Sequence, residues 1–246
     1  MINDVKFSFD EYRDILRSGK DRWRTFEEAD TNRFLIMRHD VEFSLERALA
    51  LGKIECEFDV NSTFNFQVYC DLYNIFSPDA KSVLQELRLM GHTVGLHLYV
   101  SHVGTGSKDD FLEELSVQRK LLESASGNAV RTFSFHRPTK WMLSQFREDH
   151  YCDMINQYGE SFFEFSEMPT RVKYISDSRH VWNYGHPLEH MDAVRLQILT
   201  HPDEWSENGN EEYENFKTLK EEFGEKVSNV FYKESPKNFE KYVGLI

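Results

Sequence analysis

The chain is short of the residues that cross-link or interrupt a fold: 3 cysteines and 6 prolines in 246 residues. Cys56, Cys70 and Cys152 are odd in number, scattered and without a CxxC neighbour. That excludes a disulfide framework and fits a reducing compartment. All three read as reduced thiols acting as small buried hydrophobes. The prolines are too sparse to mark a linker, and no repeat or low-complexity tract is present. A single domain over 1–246 is therefore expected, with 1–32 as an N-terminal helical extension. No stretch approaches about 18 uncharged apolar residues, and Met1 to Lys6 lack a basic segment followed by an apolar run. The expectation is a cytoplasmic protein without an integral membrane segment. Basic residues are scarce as well: 29 Lys+Arg stand against 42 Asp+Glu, a net charge of −13. Binding to a phosphate backbone gains from counterion release at clustered cations, so nucleic acid is excluded as the expected partner.

What is present is an alternation of apolar runs and amphipathic stretches. Seven candidate strands fall at 34–37, 62–68, 92–98, 130–135, 151–155, 172–175 and 194–199. Between the early strands lie helix signals: Ser8 with Glu11, Ser44 before an apolar face, Pro78 at a first turn, and Ser107 with Asp110. A closing helix over 211–223 carries Tyr213, Phe216, Leu219 and Phe223 at core-packing spacing. Strands alternating with helices favour parallel pairing through right-handed crossovers, hence an α/β barrel-sized domain.

The reactive residues recur in one topological place. Arg38-His39-Asp40-Val41-Glu42 follows the first strand, His97 ends the third, His136-Arg137 follows the fourth, Asp177 the sixth and His201 the last. In a parallel barrel these C-terminal strand ends converge on one face, where such folds place their active sites. Histidine nitrogens and carboxylate oxygens are the donors of a catalytic divalent ion, typically three from the protein with one position left for water. A nearby carboxylate then accepts the water proton and a separate histidine protonates the leaving amine. His39 and His92 sit in strand corners and read as hydrogen-bonded structural residues.

Five ordered segments carry a family resemblance: Arg38 to Ser44, Ser62 to Phe66, Gly91 to His97, Phe133 to Pro138 and Ile198 to Pro202. Together they resemble the motifs of the polysaccharide deacetylase family, also called NodB-homology or carbohydrate esterase 4. They are most similar to the branch whose first motif reads Arg-His-Asp-Val-Asp and whose members are associated with surface-polysaccharide biosynthesis. The resemblance implies a distorted (β/α)7 barrel, a divalent metal, usually Zn2+, and hydrolysis of acyl groups on a carbohydrate. It further implies Asp40 as base or metal ligand, and Glu42, standing where the branch has its second Asp, as a metal ligand. His97 is implied as a ligand and His136 as the third, with His102 the alternative because Ser101 occupies the expected histidine place. Arg137 is implied to orient the base, His201 to act as general acid with Asp177 as its partner, and Trp182 and Asn65 to meet the substrate. Two rivals stand beside deacetylation: a deformylase or amide-modifying enzyme acting on O-antigen sugars, and a metal-free sugar-binding protein.

Overall fold

The computed structural model describes residues 7–29, 33–100, 107–163 and 172–235. Strand β1 (Phe34–Val41) is buried along its whole length, as a strand covered on both faces must be. The other strands are β2 (Thr63–Phe66), β3 (Thr93–Tyr99), β4 (Thr132–His136), β5 (His150–Tyr151), β6 (Met154–Asn156), β7 (Lys173–Ser176) and β8 (Arg195–Thr200). They form one sheet in the order β5-β6-β4-β3-β2-β1-β8-β7. Every pairing is parallel except β5 with β6. The single strand expected over 151–155 is instead this β5–β6 hairpin. Its turn residues Cys152 and Asp153 have φ of 49° and 59°, the left-handed pair that a two-residue hairpin turn requires.

The helices are α1 (Phe9–Gly19), α2 (Leu45–Cys56), α3 (Pro78–Leu89), α4 (Lys108–Ser126), α5 (Lys140–Gln145) and α6 (Glu212–Glu234). Ser8, Ser44, Ser77, Ser107 and Thr139 cap the first five, each side chain accepting from a backbone N–H three residues on. Helix α1 buries Tyr12, Ile15 and Leu16 in the same core as the sheet. Helix α6 departs from expectation in length and in packing. It runs to Glu234 and buries only Asn215 and Leu219, leaving Tyr213 and Phe216 exposed. Polar contacts hold it instead, from Arg47 on α2 to Asn215 and Glu222. The cysteines also depart from the expected burial: Cys56 and Cys152 are exposed and Cys70 is half-buried.

Strand pleating sends alternate side chains of β1 to opposite faces. Leu35, Met37 and Val41 join the large core beneath the helices, whereas Phe34 and Ile36 pack inward against Phe26, Phe162 and Val172. Above that apolar floor the interior turns polar. Gln157, just beyond β6, exchanges hydrogen bonds of 2.9 and 2.7 Å with Asn65 on β2 and donates to Thr132 on β4 at 2.9 Å. Its carbonyl accepts from Gln197 on β8 at 3.1 Å. One residue can meet β2, β4 and β8 only if the sheet curls around it, and the architecture is accordingly a distorted barrel of seven parallel strands. Between β6 and β7 the described residues make no ladder; Tyr158 and Tyr174 hydrogen-bond across that seam instead.

His39 lies between Arg38 and Asp40 but faces outward. Its Nε2 is 3.0 Å from Glu55 and its Nδ1 is 2.6 Å from the Thr200 hydroxyl. Glu55, fully buried on α2, also accepts from Tyr12 at 2.7 Å and Ser62 at 2.6 Å. His92 lies 3.0 Å from the Gly52 carbonyl. Both histidines belong to a polar layer that fastens α1 and α2 to the sheet, away from the barrel mouth.

Gly95 on β3 is the close approach the interior depends on. A Cβ there would lie 2.1 Å from Oδ1 of Asn65. Gly95→Ala is therefore expected to displace the Asn65–Gln157 amide pair and to cost about 1–3 kcal/mol, measured by denaturant unfolding. An unchanged unfolding midpoint would show that the interior is loosely packed at this level.

Candidate metal centre and cleft

The C-terminal ends of β1, β3, β4 and β8 open into a cleft of about 960 Å³ whose walls include Asp40, Glu42, His97, Arg137, Tyr158, Tyr174, His201 and Asp203. Three donors meet at its base, two of them, Glu42 and His97, lining the cleft and the third, His136, buried beside them. Oε1 of Glu42 lies 3.0 Å from Nε2 of His97 and 2.9 Å from Nδ1 of His136, and the two ring nitrogens are 3.2 Å apart. Ligands at about 2.0–2.1 Å in a tetrahedral zinc site stand about 3.3–3.4 Å from one another. The three atoms thus form a nearly closed face of such a site, and one carboxylate with two imidazoles is a donor set suited to a catalytic divalent ion. Burial alone would raise the Glu42 carboxyl, but the hydrogen bond from His136 and the nearby His97 and His201 rings hold it far below the usual carboxylate range.

The neighbouring groups settle which nitrogen of His97 is free. Ser134 on β4 donates to Oδ1 of Asp40 at 3.0 Å, so its oxygen is left to accept from Nδ1 of His97 at 2.7 Å. That places the ring proton on Nδ1 and turns the Nε2 lone pair toward Glu42 and His136. Tyr99 stacks on the His136 ring, with centroids 5.3 Å apart and an interplanar angle of 14°.

Asp40 stands one layer beneath the donors and outside their cluster. Its carboxylate accepts from Arg38 at 2.8 and 3.3 Å, from Asn65 at 2.8 Å and from Ser134. Burial works against its charge, yet the Arg38 guanidinium outweighs it and holds the carboxyl well below its ordinary value. Arg38 is itself fully enclosed: it donates to Gln197 at 3.0 Å and to Tyr158 at 2.8 Å, and lies 4.5 Å from the centroid of the Tyr158 ring.

His201 follows β8 and faces the same cleft. Its Nδ1 is 2.7 Å from Asp177, whose carboxylate also accepts the His201 backbone N–H and, at 2.9 Å, the indole N–H of Trp205. Burial opposes the imidazolium, but Asp177, with Glu42 and Asp203 beyond it, pushes the pKa up to about 10. The ring is therefore cationic at neutral pH.

The sequence-predicted site residues divide on these distances. Glu42, His97 and His136 come together, and Asp177 meets His201. Asp40 is not among the converging donors, because its oxygens are engaged by Arg38, Asn65 and Ser134. Arg137 does not touch Asp40; the guanidinium on that carboxylate is Arg38, two residues away on the same strand face. Asn65 is fully buried and spans Asp40 and Gln157 rather than meeting the cleft. Trp182 donates to Glu11 at 3.1 Å and packs against Phe7 and Trp205; it is not a cleft wall. His102 lies outside the described residues. Arg38, Ser134 and Trp205 were missed. For Arg38 the signal was available, since the i, i+2 spacing of Arg38 and Asp40 puts both on one face of a strand.

No family model matches the chain, and no curated protein matches it. Solved structures give remote likenesses. The chitin deacetylase from the fungal pathogen Colletotrichum lindemuthianum is 21% identical over 41% of this chain and 44% of that chain, with a TM-score of 0.34. The Xyl-CE4 domain of a multidomain xylanase from the hindgut metagenome of Trinervitermes trinervoides is 15% identical over 82% of this chain and 91% of that chain, at 0.45. A CE4 family pseudoenzyme from Bacillus anthracis is 17% identical over 79% of this chain and 62% of that chain, at 0.41. The chain thus spans less than two thirds of the first and third of these proteins.

The reassignment of the arginines has a direct consequence. Arg38→Gln leaves the buried Asp40 charge without its partner and is expected to destabilise the fold by about 3–5 kcal/mol. Arg137→Gln, at an exposed position, is expected to stay within about 0.5 kcal/mol of the unsubstituted chain. Urea unfolding of both variants checks the contrast; equal losses would contradict it.

Proposed function

We propose that the protein is a metal-dependent hydrolase that removes an acetyl or similar acyl group from an amino sugar of a surface polysaccharide or its precursor. The observation that carries this reading is the convergence of Glu42, His97 and His136 on one point, in a cleft that also holds a fixed carboxylate and a cationic histidine. Glu42, His97 and His136 would hold the ion, with Zn2+ the candidate from the donor set. Such an ion supplies Lewis acidity toward an acyl carbonyl and lowers the pKa of a water.

The remaining work falls to the chain. Asp40, ionised throughout the working range and held by Arg38, Asn65 and Ser134, accepts the proton of the attacking water. Among the described residues its Oδ2 accepts a hydrogen bond only from Arg38, at 2.8 Å, so a lone pair on that oxygen is left to take the proton. His201, charged before substrate arrives, donates its proton to the departing nitrogen. Asp177 and the Trp205 indole keep that ring oriented, with Nε2 free to face the substrate. The setting, O-antigen or other surface-polysaccharide biosynthesis in the cytoplasm, is what the motif resemblance implies. No helix among the described residues is long and apolar enough to cross a membrane.

Two measurements test the reading. Elemental analysis of the purified chain is expected to find one zinc per molecule, lost in His97→Ala, while assays of acetate, formate and ammonia released from acylated sugars name the bond cleaved. Metal-free protein with a chelator-insensitive fold and sugar affinity would favour a non-catalytic binding role. The second concerns pH. A general acid must be protonated, so the rate falls as pH rises through its pKa, placing the alkaline limb above the ordinary histidine value because Asp177 raises His201. Asp177→Asn removes the charge that raises it and is expected to move that limb down toward the ordinary histidine value of about 6.5. An unmoved limb would remove His201 from the role.

A further inference from the structure

With Arg38 holding Asp40, Arg137 is left without the task its position suggested, yet it lines the cleft. So does Arg179, three residues beyond the end of β7. Both guanidiniums are exposed, and among the described residues neither has a hydrogen-bond or ion-pair partner. They stand at the ends of β4 and β7, on either side of the seam closed by Tyr158 and Tyr174.

Among the described residues the carboxylates around them are otherwise accounted for. Asp40 is neutralised by Arg38, and Glu42 lies among the metal donors. Glu204 is 2.8 Å from His180. The Asp203 carboxyl is pushed up to about 7 by burial. In a chain of net charge −13, the described residues of the cleft mouth therefore present positive charge that none of the others pairs. Both arginines also adopt left-handed backbone, with φ of 52° at Arg137 and 66° at Arg179. That conformation costs a non-glycine residue about 1 kcal/mol or more and persists where surrounding structure enforces it. The enforcement is visible: the next residue after Arg179, His180, is pinned by Glu204 and the Asn210 carbonyl, and the Arg137 turn runs into the Thr139 cap of α5. Between the two arginines the wall is aromatic. Phe163 meets Tyr174 edge-on at 4.8 Å, and Tyr174 lies 6.0 Å from the exposed Tyr184. A sugar face suits such rings, and a planar guanidinium suits a carboxylate or phosphate.

We propose that the cleft selects an acylated sugar bearing an oxyanion, a phosphate ester or a carboxylate, which Arg137 and Arg179 bind while the acyl group reaches the metal donors. The proposal rests on the hydrolytic reading for the acyl group but makes its own claim about charge. Two probes carry the anion, N-acetylglucosamine 1-phosphate and an N-acetylated hexosaminuronic acid, and a neutral N-acetylglucosamine oligomer is the control. The full-length, zinc-loaded chain is assayed for acyl release and, separately, for equilibrium binding by calorimetry at low and high salt.

One charged probe is expected to bind at least about 10-fold more tightly than the neutral one, with the advantage shrinking as salt rises. Whether phosphate or carboxylate gains more identifies the oxyanion. In Arg137→Gln with Arg179→Gln the preference is expected to collapse by about 10-fold or more, with circular dichroism verifying the fold. Equal affinity for charged and neutral probes, or a preference that survives both substitutions, overturns the proposal. Charge-selective binding without acyl release from any probe sustains the anion site and overturns the hydrolytic reading. Acyl release without charge selectivity does the reverse.

Discussion

The buried pair of Arg38 and Asp40 is the constraint around which the barrel interior is arranged. Both residues sit on the inward face of β1 with almost no exposure, where an unpaired charge would cost several kcal/mol. Satisfying the pair draws in Gln197 from β8, Asn65 from β2, Ser134 from β4 and Tyr158 from beyond β6. The polar middle of the barrel is thus a set of obligations imposed by two charges, resting on the apolar floor of Phe34, Ile36 and Phe162. The same set reaches upward, because the Ser134 that donates to Asp40 also fixes the His97 ring. Fold and site share one hydrogen-bond network.

The outward face of β1 is organised separately. His39 engages Glu55 and Thr200 on the other side of the same strand, so three consecutive residues, Arg38, His39 and Asp40, serve two different layers. A cluster that reads in sequence as one reactive motif is divided by the pleat. That division is why His39 joins α1 and α2 to the sheet while its neighbours face the barrel interior.

Legibility from sequence followed the physics that fixes each feature. The parallel alternation, the helix caps at Ser44 and Ser107 and the positions of Glu42, His97, His136 and His201 at strand ends depend on local pattern, and local pattern was visible. The division of 151–155 into a hairpin turns on left-handed backbone at Cys152 and Asp153, which no apolar spacing announces. The motif resemblance points to Arg137 as the partner of Asp40, whereas the two-residue spacing of Arg38 makes the simpler contact on one strand face. The roles of Trp182 and Asn65 rest on the motif resemblance; their burial against Glu11 and Gln157 depends on segments distant in sequence. The apolar residues of α6 kept core spacing yet remain exposed at Tyr213 and Phe216, since periodicity describes a face and not what covers it.

The central claim is that Glu42, His97 and His136 enclose a single divalent ion above a pre-arranged carboxylate. Anomalous scattering from crystals of the zinc-incubated protein, collected on both sides of the zinc edge, tests it most directly. The account predicts one peak at about 2.0–2.2 Å from Oε1 of Glu42, Nε2 of His97 and Nδ1 of His136, with the Arg38–Asp40 pair unchanged beneath it. No peak at those three atoms, or a peak held by Asp40 with Arg38 displaced, would contradict it.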